Sequence, residues 1–215
     1  MKRHPLLLAV LGMGLIAVCL GGGATIAALG NGPLALDVAW HDFWNLHRAP
    51  WLTSASLWLN VAGSRVYLGV VLPTLLAVIL VMLERPAFAA TVLVGGLAGA
   101  PAVTLLKSVL LRPRPDDQQI PVTLTAYPSG HVSNLVLLLV IAGLLLARPW
   151  CWALIVAAIA AMSFSRTYLD VHWLTDTIGG VFLGAGIALV LWAAAVAVEK
   201  RMNGGDSASA SRVYH

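Results

Sequence analysis

The chain has 215 residues, 60% of them hydrophobic and 10% charged, with a formal net charge of +4. A soluble domain is about 45–50% apolar and about 25% charged, and the mean hydropathy of +0.88 lies far on the lipid side of that. At about 20 residues per spanning helix, this composition has room for roughly six crossings. It excludes disorder, a coiled coil, a disulfide scaffold, a cytosolic enzyme and an outer-membrane barrel, whose strands need alternation rather than long apolar runs.

The first apolar run, residues 6–29, opens after Lys2, Arg3 and His4. It exceeds the 7–15 residues of a signal-peptide core, so a retained helix is expected. Between residues 36 and 48, Leu36, Trp40, Phe43 and Trp44 recur at helical spacing, opposite Asp37, His41, Asn45 and Arg48. That pattern predicts an amphipathic helix lying in the membrane interface, with Trp51 and Trp58 extending an aromatic belt. As to its role, a connecting helix that packs on the bundle is expected at least as much as one that gates substrate.

Further spans are predicted at residues 66–82, 88–106, 131–147, 150–164 and 173–198, with a polar, Pro-rich stretch between 107 and 130. The fold class expected is therefore all-α: an integral membrane bundle of six transmembrane helices with an interfacial amphipathic helix between the first two. Residues 1–198 form one membrane-embedded domain, and residues 199–215, containing GGDSASAS, read as a short disordered tail.

Six crossings put both termini on one side, with seven Lys and Arg residues there against six on the other. If Lys107, Arg114 and Arg166 are held by function the contrast becomes seven against three, and the positive-inside rule places both termini in the cytoplasm. The 13 Lys and Arg residues are scattered, with no basic stripe interleaved with aromatics, so nucleic acid is not an expected partner. Cys19 and Cys151 sit in or beside apolar runs and read as small packing residues.

The same parity gathers the polar residues. Lys107, Arg114 and His131 share one loop, and the 17 residues from His131 to Arg148 cover about 26 Å of helix. The chain therefore crosses and returns, bringing Ser165, Arg166, His172 and Asp176 to the face that holds His131. Ionisable groups at such depth are costly and mark a site.

Lys107, Arg114 and Arg166 supply a compact cation suited to a tetrahedral oxyanion. Pro128-Ser129-Gly130-His131 precedes an apolar helix and offers backbone N–H groups to an anion. His172 and Asp176 are spaced i, i+4, so the carboxylate can fix the imidazole tautomer and leave the other nitrogen as nucleophile. His131 is then available to protonate a leaving oxygen. The set reads as phosphoryl transfer through a phosphohistidine, followed by attack of water. Asp116 and Asp117 read as a solvated loop pair rather than a metal site, and Arg65, Arg112 and Asp170 carry no assignment.

Taken together, K-x6-R-P from Lys107 to Pro115, PSGH from Pro128 to His131 and SR-x5-H-x3-D from Ser165 to Asp176 resemble the signature of the type 2 phosphatidic acid phosphatase superfamily. The resemblance implies that Lys107, Arg114 and Arg166 bind phosphate, helped by Ser129, Gly130 and Ser165. It implies His172 as nucleophile, Asp176 as its orienter and His131 as general acid, with no metal and no cofactor. The substrate expected is a lipid phosphate at the outer face of a bacterial inner membrane. Undecaprenyl diphosphate is favoured, ahead of phosphatidic acid and phosphatidylglycerol phosphate. A lipid phosphotransferase using the same phosphohistidine is the second expectation. An anion transporter is disfavoured because no duplicated half is visible.

Overall fold

The structure, a computed structural model, describes residues 4–122 and 125–212, with side chains as far as Met202. Among these residues every regular element is helical. In chain order they are α1 (Pro5–Ala28), α2 (Ala35–Leu46), α3 (Pro50–Ala62), a π-helical turn (Tyr67–Val71) leading into α4 (Leu72–Met82), α5 (Pro86–Leu110), α6 (Gly130–Leu146), α7 (Pro149–Tyr168) and α8 (Leu174–Arg212). Proline opens α1, α3, α5 and α7 at the first helical position, where its missing N–H costs nothing. Leu111 and Ala147 close α5 and α6 in the left-handed conformation.

Among the described residues four helices are long and apolar enough to cross a membrane: α1, α5, α7 and the part of α8 up to Met202. The chain is a membrane protein. Helix α3 and the segment Tyr67–Met82 together pass the same test as one span bent by 42°, and α6 is a shorter apolar helix. Apolar helix thus leads into the second expected span from before residue 66, with α3 running up to the bend. The break lies at Gly63 and Ser64, and Pro73, which lacks an N–H, accompanies the π turn that follows. At the other end, the helix does not stop at Val198. Residues 199–202, the start of the expected tail, continue α8, as the helix-forming run Glu-Lys-Arg-Met favours. The side chains of residues 203–212 and the whole of 213–215 lie outside the described residues.

Helix α8 is the axis of the bundle. α1 lies along it with Gly12 facing Gly186, each so close that an added Cβ would stand 2.7 Å from the other's carbonyl oxygen. α6 packs on another face of α8, where Gly180 and Gly184 meet the backbone of Ser129 and Ser133. Small residues at i, i+4 allow such approach between membrane helices. Around this axis sits a core that includes Val132, Val136, Leu137 and Ile141 of α6, with Trp192 of α8 against Phe88 of α5 at 4.6 Å between ring centroids. Apolar residues on outward faces remain exposed, for example Leu6, Leu75 and Val156, as lipid-facing positions require.

Helix α2 turns a mixed face inward, with Asp37 beside Trp40 and Trp44. Asp37 is fully buried, Trp40 donates from Nε1 to Thr167 Oγ1 at 2.9 Å, and Trp44 packs edge-on against Phe164 and Tyr168. Leu36, Phe43 and Leu46 stay exposed. The helix is therefore fastened to the end of α7 by Trp40 and Trp44 and to the start of α8 by Asp37.

Candidate active site

A cavity of about 340 Å³ lies where α5, α6 and the loop before α8 meet, with Lys107, Arg114, Gly130, His131 and His172 among its lining residues. Lys107 reaches it from the last turn of α5. Its Nζ donates to the carbonyls of Thr125 and, at 2.8 Å, Ala126, which ties the loop between α5 and α6 to the helix end. Arg114 comes from that loop and donates to the carbonyls of Val171 and Thr125. Burial pulls the Arg114 guanidinium down to about 10, still far above neutrality.

His172 sits in the short link between α7 and α8 and is almost fully buried. Its Nε2 lies 3.3 Å from Arg114 Nη1, and its Nδ1 lies 3.4 Å from Asp176 Oδ2. Burial first, then the positive charges of Arg114, Lys107 and Arg166, hold the imidazole well below its ordinary value of 6.5. That shift favours the neutral ring at physiological pH. Nδ1 has no hydrogen-bond partner, and Ser129 Oγ and Arg166 Nε are buried in the same condition among the described residues. Buried polar atoms left without a partner cost about 1–3 kcal/mol each, and native structures hold few of them.

Several expected residues have structural duties as well. The Ser129 N–H donates to the Asp176 carbonyl at 2.9 Å, so that donor of the PSGH turn is spent on α8. The N–H groups available to an anion are those of the first turn of α6, which have no partner within the helix. Arg166 does not line the cavity. It is buried, with Nη1 donating to Asn60 Oδ1 at 2.7 Å and Nη2 to Ser165 Oγ at 3.1 Å. Ser165 Oγ in turn donates to the Ser56 carbonyl at 3.0 Å, so Ser165 orients Arg166 and anchors α7 to α3.

Reasoning from sequence missed four contributors. Asn60 of α3 holds Arg166, and Asn134 of α6 lines the cavity. Arg65 lines it too, where it meets an adjoining groove bounded by Pro101, Thr104, Leu105 and Ser108. Arg112 is fully buried and paired with both Asp37 and Asp176. For Arg65 and Arg112 the signal was charge within apolar surroundings, which names a residue without naming its partner; the neutral Asn60 and Asn134 gave no such signal.

A second polar cluster lies outside the cavity lining. His41, Asp117 and Asp170 bring their ligand atoms within 4.8 Å of one another. Arg48 donates to Asp170 and Asn45 donates to Asp117 at 2.9 Å, so both carboxylates already have protein donors. Burial raises Asp170 to about 6 against the pull of Arg48. Burial opposes protonation of His41, but Asp117, Asp42 and Asp170 hold it above its ordinary value.

Helices suited to crossing a membrane, and a cavity where cations meet a carboxylate-backed imidazole, define the class: an integral membrane protein with a cationic pocket around a buried histidine. The family follows from the sequence over the same region. The model of the PAP2 superfamily matches residues 87–200, more than half of the chain, and the chain belongs to that superfamily. It is 39% identical over 85 residues to an undecaprenyl-diphosphatase from Sulfolobus acidocaldarius, a match that takes in 38% of this chain and 35% of that relative's length. Its fold is similar to that of the first transmembrane PAP2 type phosphatidylglycerolphosphate phosphatase from Bacillus subtilis, with a TM-score of 0.67 and 23% identity. That similarity covers 84% of this chain and 93% of the other.

Proposed function

We propose that the protein is a phosphatase that removes phosphate from a membrane lipid, with undecaprenyl diphosphate as the favoured substrate and phosphatidic acid and phosphatidylglycerol phosphate as alternatives. The observation that carries the reading is the position of His172, with Nε2 facing Arg114 and Nδ1 facing Asp176. The diphosphate is favoured by the name of the Sulfolobus relative and by Arg65, a further cation at the cavity edge.

In this reading Lys107 and Arg114 draw the terminal phosphate into the cavity, Arg166 adds its positive charge from its buried position outside the lining, and Ser129 Oγ and the first-turn N–H groups of α6, beginning at Gly130, add hydrogen bonds. His172 Nε2 attacks phosphorus, the bond from phosphorus to the lipid oxygen breaks, and His131 gives that oxygen its proton. Water then attacks the phosphohistidine, giving its proton to His131 while the P–N bond breaks. Inorganic phosphate leaves and both imidazoles are restored. Each proton and charge in these steps is assigned to a side chain, and the reading is one of catalysis without metal or cofactor.

Counting α6, whose 17 residues reach the lower limit of about 17 for a span, and the bent pair gives six crossings. Both termini are then cytoplasmic, α2 lies at the outer interface, and the cavity opens at the outer face of the inner membrane. Residues 1–198 constitute the catalytic domain and 199–215 a tail.

The test is phosphate release by the purified protein from undecaprenyl diphosphate, phosphatidic acid and phosphatidylglycerol phosphate. Release that survives chelator and is blocked by vanadate is expected. Chelator-sensitive release would overturn metal independence, and transfer of phosphate to a lipid acceptor in place of release would make the protein a phosphotransferase.

A further inference from the structure

We infer that Asp37 and Arg112 are positioning residues for the His172–Asp176 pair, and that α2 is thereby a working part of the active site; this rests on the reading of His172 as the reacting group. Asp37, Arg112 and Asp176 are each 0% exposed. Their carboxylates and guanidinium form one chain of contacts that ends on the oxygen pair facing the imidazole.

The fork of Arg112 is divided between two helices. Nη1 donates to Asp176 Oδ1 at 2.6 Å, and Nη2 donates to Asp37 Oδ2 at 2.7 Å. The other oxygen of Asp176, Oδ2, accepts the Trp173 N–H at 2.8 Å and is the one that faces His172 Nδ1. Asp176 is thus gripped from both sides, and its carboxylate cannot rotate without breaking a charge-assisted bond. An ammonium is a single point and could not replace a planar fork that spans two carboxylates.

Asp37 fixes the other end. Its Oδ1 accepts the Thr175 N–H at 2.9 Å, placing a negative charge at the start of α8, where the helix dipole favours it. Its Oδ2 also accepts the Leu34 N–H at 2.9 Å, which closes the first turn of α2. One carboxylate therefore serves two helix starts and holds the guanidinium that holds Asp176. A staple with only a structural duty has no need to end on the carboxylate facing the nucleophile. This one does.

The experiment uses the full-length protein in detergent with farnesyl diphosphate as probe, comparing wild type with D37N, R112Q, D176N and R112Q/D176N. D37N and R112Q are expected to lower kcat by about 10–100-fold, the range seen when a supporting partner is removed from a ligand histidine. KM should stay within about threefold, because the cations that bind phosphate are untouched. The double variant should be no slower than D176N, since both lesions act through one carboxylate. A second readout needs no turnover: ¹⁵N-histidine spectra, with the His172 signal identified by its loss in H172A. Wild type should show a single tautomer protonated at Nδ1, and D37N, which preserves side-chain shape, should show a mixture.

Wild-type kcat in D37N and R112Q, a double variant much slower than D176N, or an unchanged tautomer in D37N would each overturn the inference. A wild type that releases no phosphate but has its His172 tautomer disturbed by D37N would overturn the phosphatase reading and leave the positioning role standing.

Discussion

His172 Nδ1 stands 3.4 Å from Asp176 Oδ2, one helical turn apart across the start of α8. The carboxylate sits where it selects the tautomer that leaves Nε2 free toward the cationic cavity. D176N keeps the shape and loses the charge, and a comparable loss of tautomer control costs on the order of 10⁴ in a serine-protease triad. A fall in kcat of about 10³-fold or more is expected in single-turnover phosphate release, with vanadate affinity preserved. A fall of less than tenfold would remove Asp176 from that role.

Arg65 lies at the cavity edge, where its Nη2 donates to Thr104 Oγ1 at 3.5 Å. A substrate with two phosphates would bring its inner phosphate past this guanidinium while the outer one meets His172. R65A is expected to lower kcat/KM for a polyprenyl diphosphate by about tenfold or more, the worth of one hydrogen bond to a charged group. Activity on the monophosphate of the same chain should change little. Equal losses on both lipids would make Arg65 a general binding residue.

Gly180 and Gly184 set how closely α8 approaches α6. A Cβ at Gly180 would stand 2.7 Å from the Ser129 carbonyl oxygen, and one at Gly184 would collide with the Ser133 carbonyl. Because those obstacles are backbone, G184V should cost about 1–3 kcal/mol by overpacking, read as a lower thermal midpoint in detergent. G180A should also lower turnover by displacing the PSGH turn. Gly14 has nothing within 4 Å of its added Cβ, so G14A should leave both quantities unchanged.

The depressed pKa of His172 has a consequence for stability. Folding holds this imidazole below its ordinary value of 6.5, so the native state binds a proton less readily than the unfolded chain. The stabilisation is present above pH 6.5 and is lost as pH falls toward the folded pKa. Thermal midpoints of wild type should therefore decline on acidification from pH 7 to 5, and H172Q should decline less. Parallel slopes would mean that His172 titrates normally.

Much of this was legible in the sequence because lipid makes charge scarce. Lys107, Arg114, His131 and His172 stood out against apolar runs, and the structure brings all four to one cavity. Spans α5, α7 and α8 followed from hydropathy alone. Helix α3 was read as part of a belt because its bend at Gly63 and Ser64 interrupts the run into α4. Asp37 was assigned to a polar face, yet a helical pattern does not say whether that face meets water or a buried arginine. Its partner Arg112 is 75 residues away, and only tertiary packing joins them. Ser165 was legible as a site residue, whereas its duty, holding Arg166 against α3, depends on the Ser56 carbonyl.

The central claim is that phosphate passes through His172. Reaction with a ³²P-labelled lipid diphosphate, quenched in alkali within the first turnover and mapped by peptide mass spectrometry, tests it directly. The account predicts an acid-labile, alkali-stable phosphoryl group on His172 that is absent in H172A, with turnover abolished. A fully active H172A variant, or a phosphoryl group carried by another residue, would contradict it.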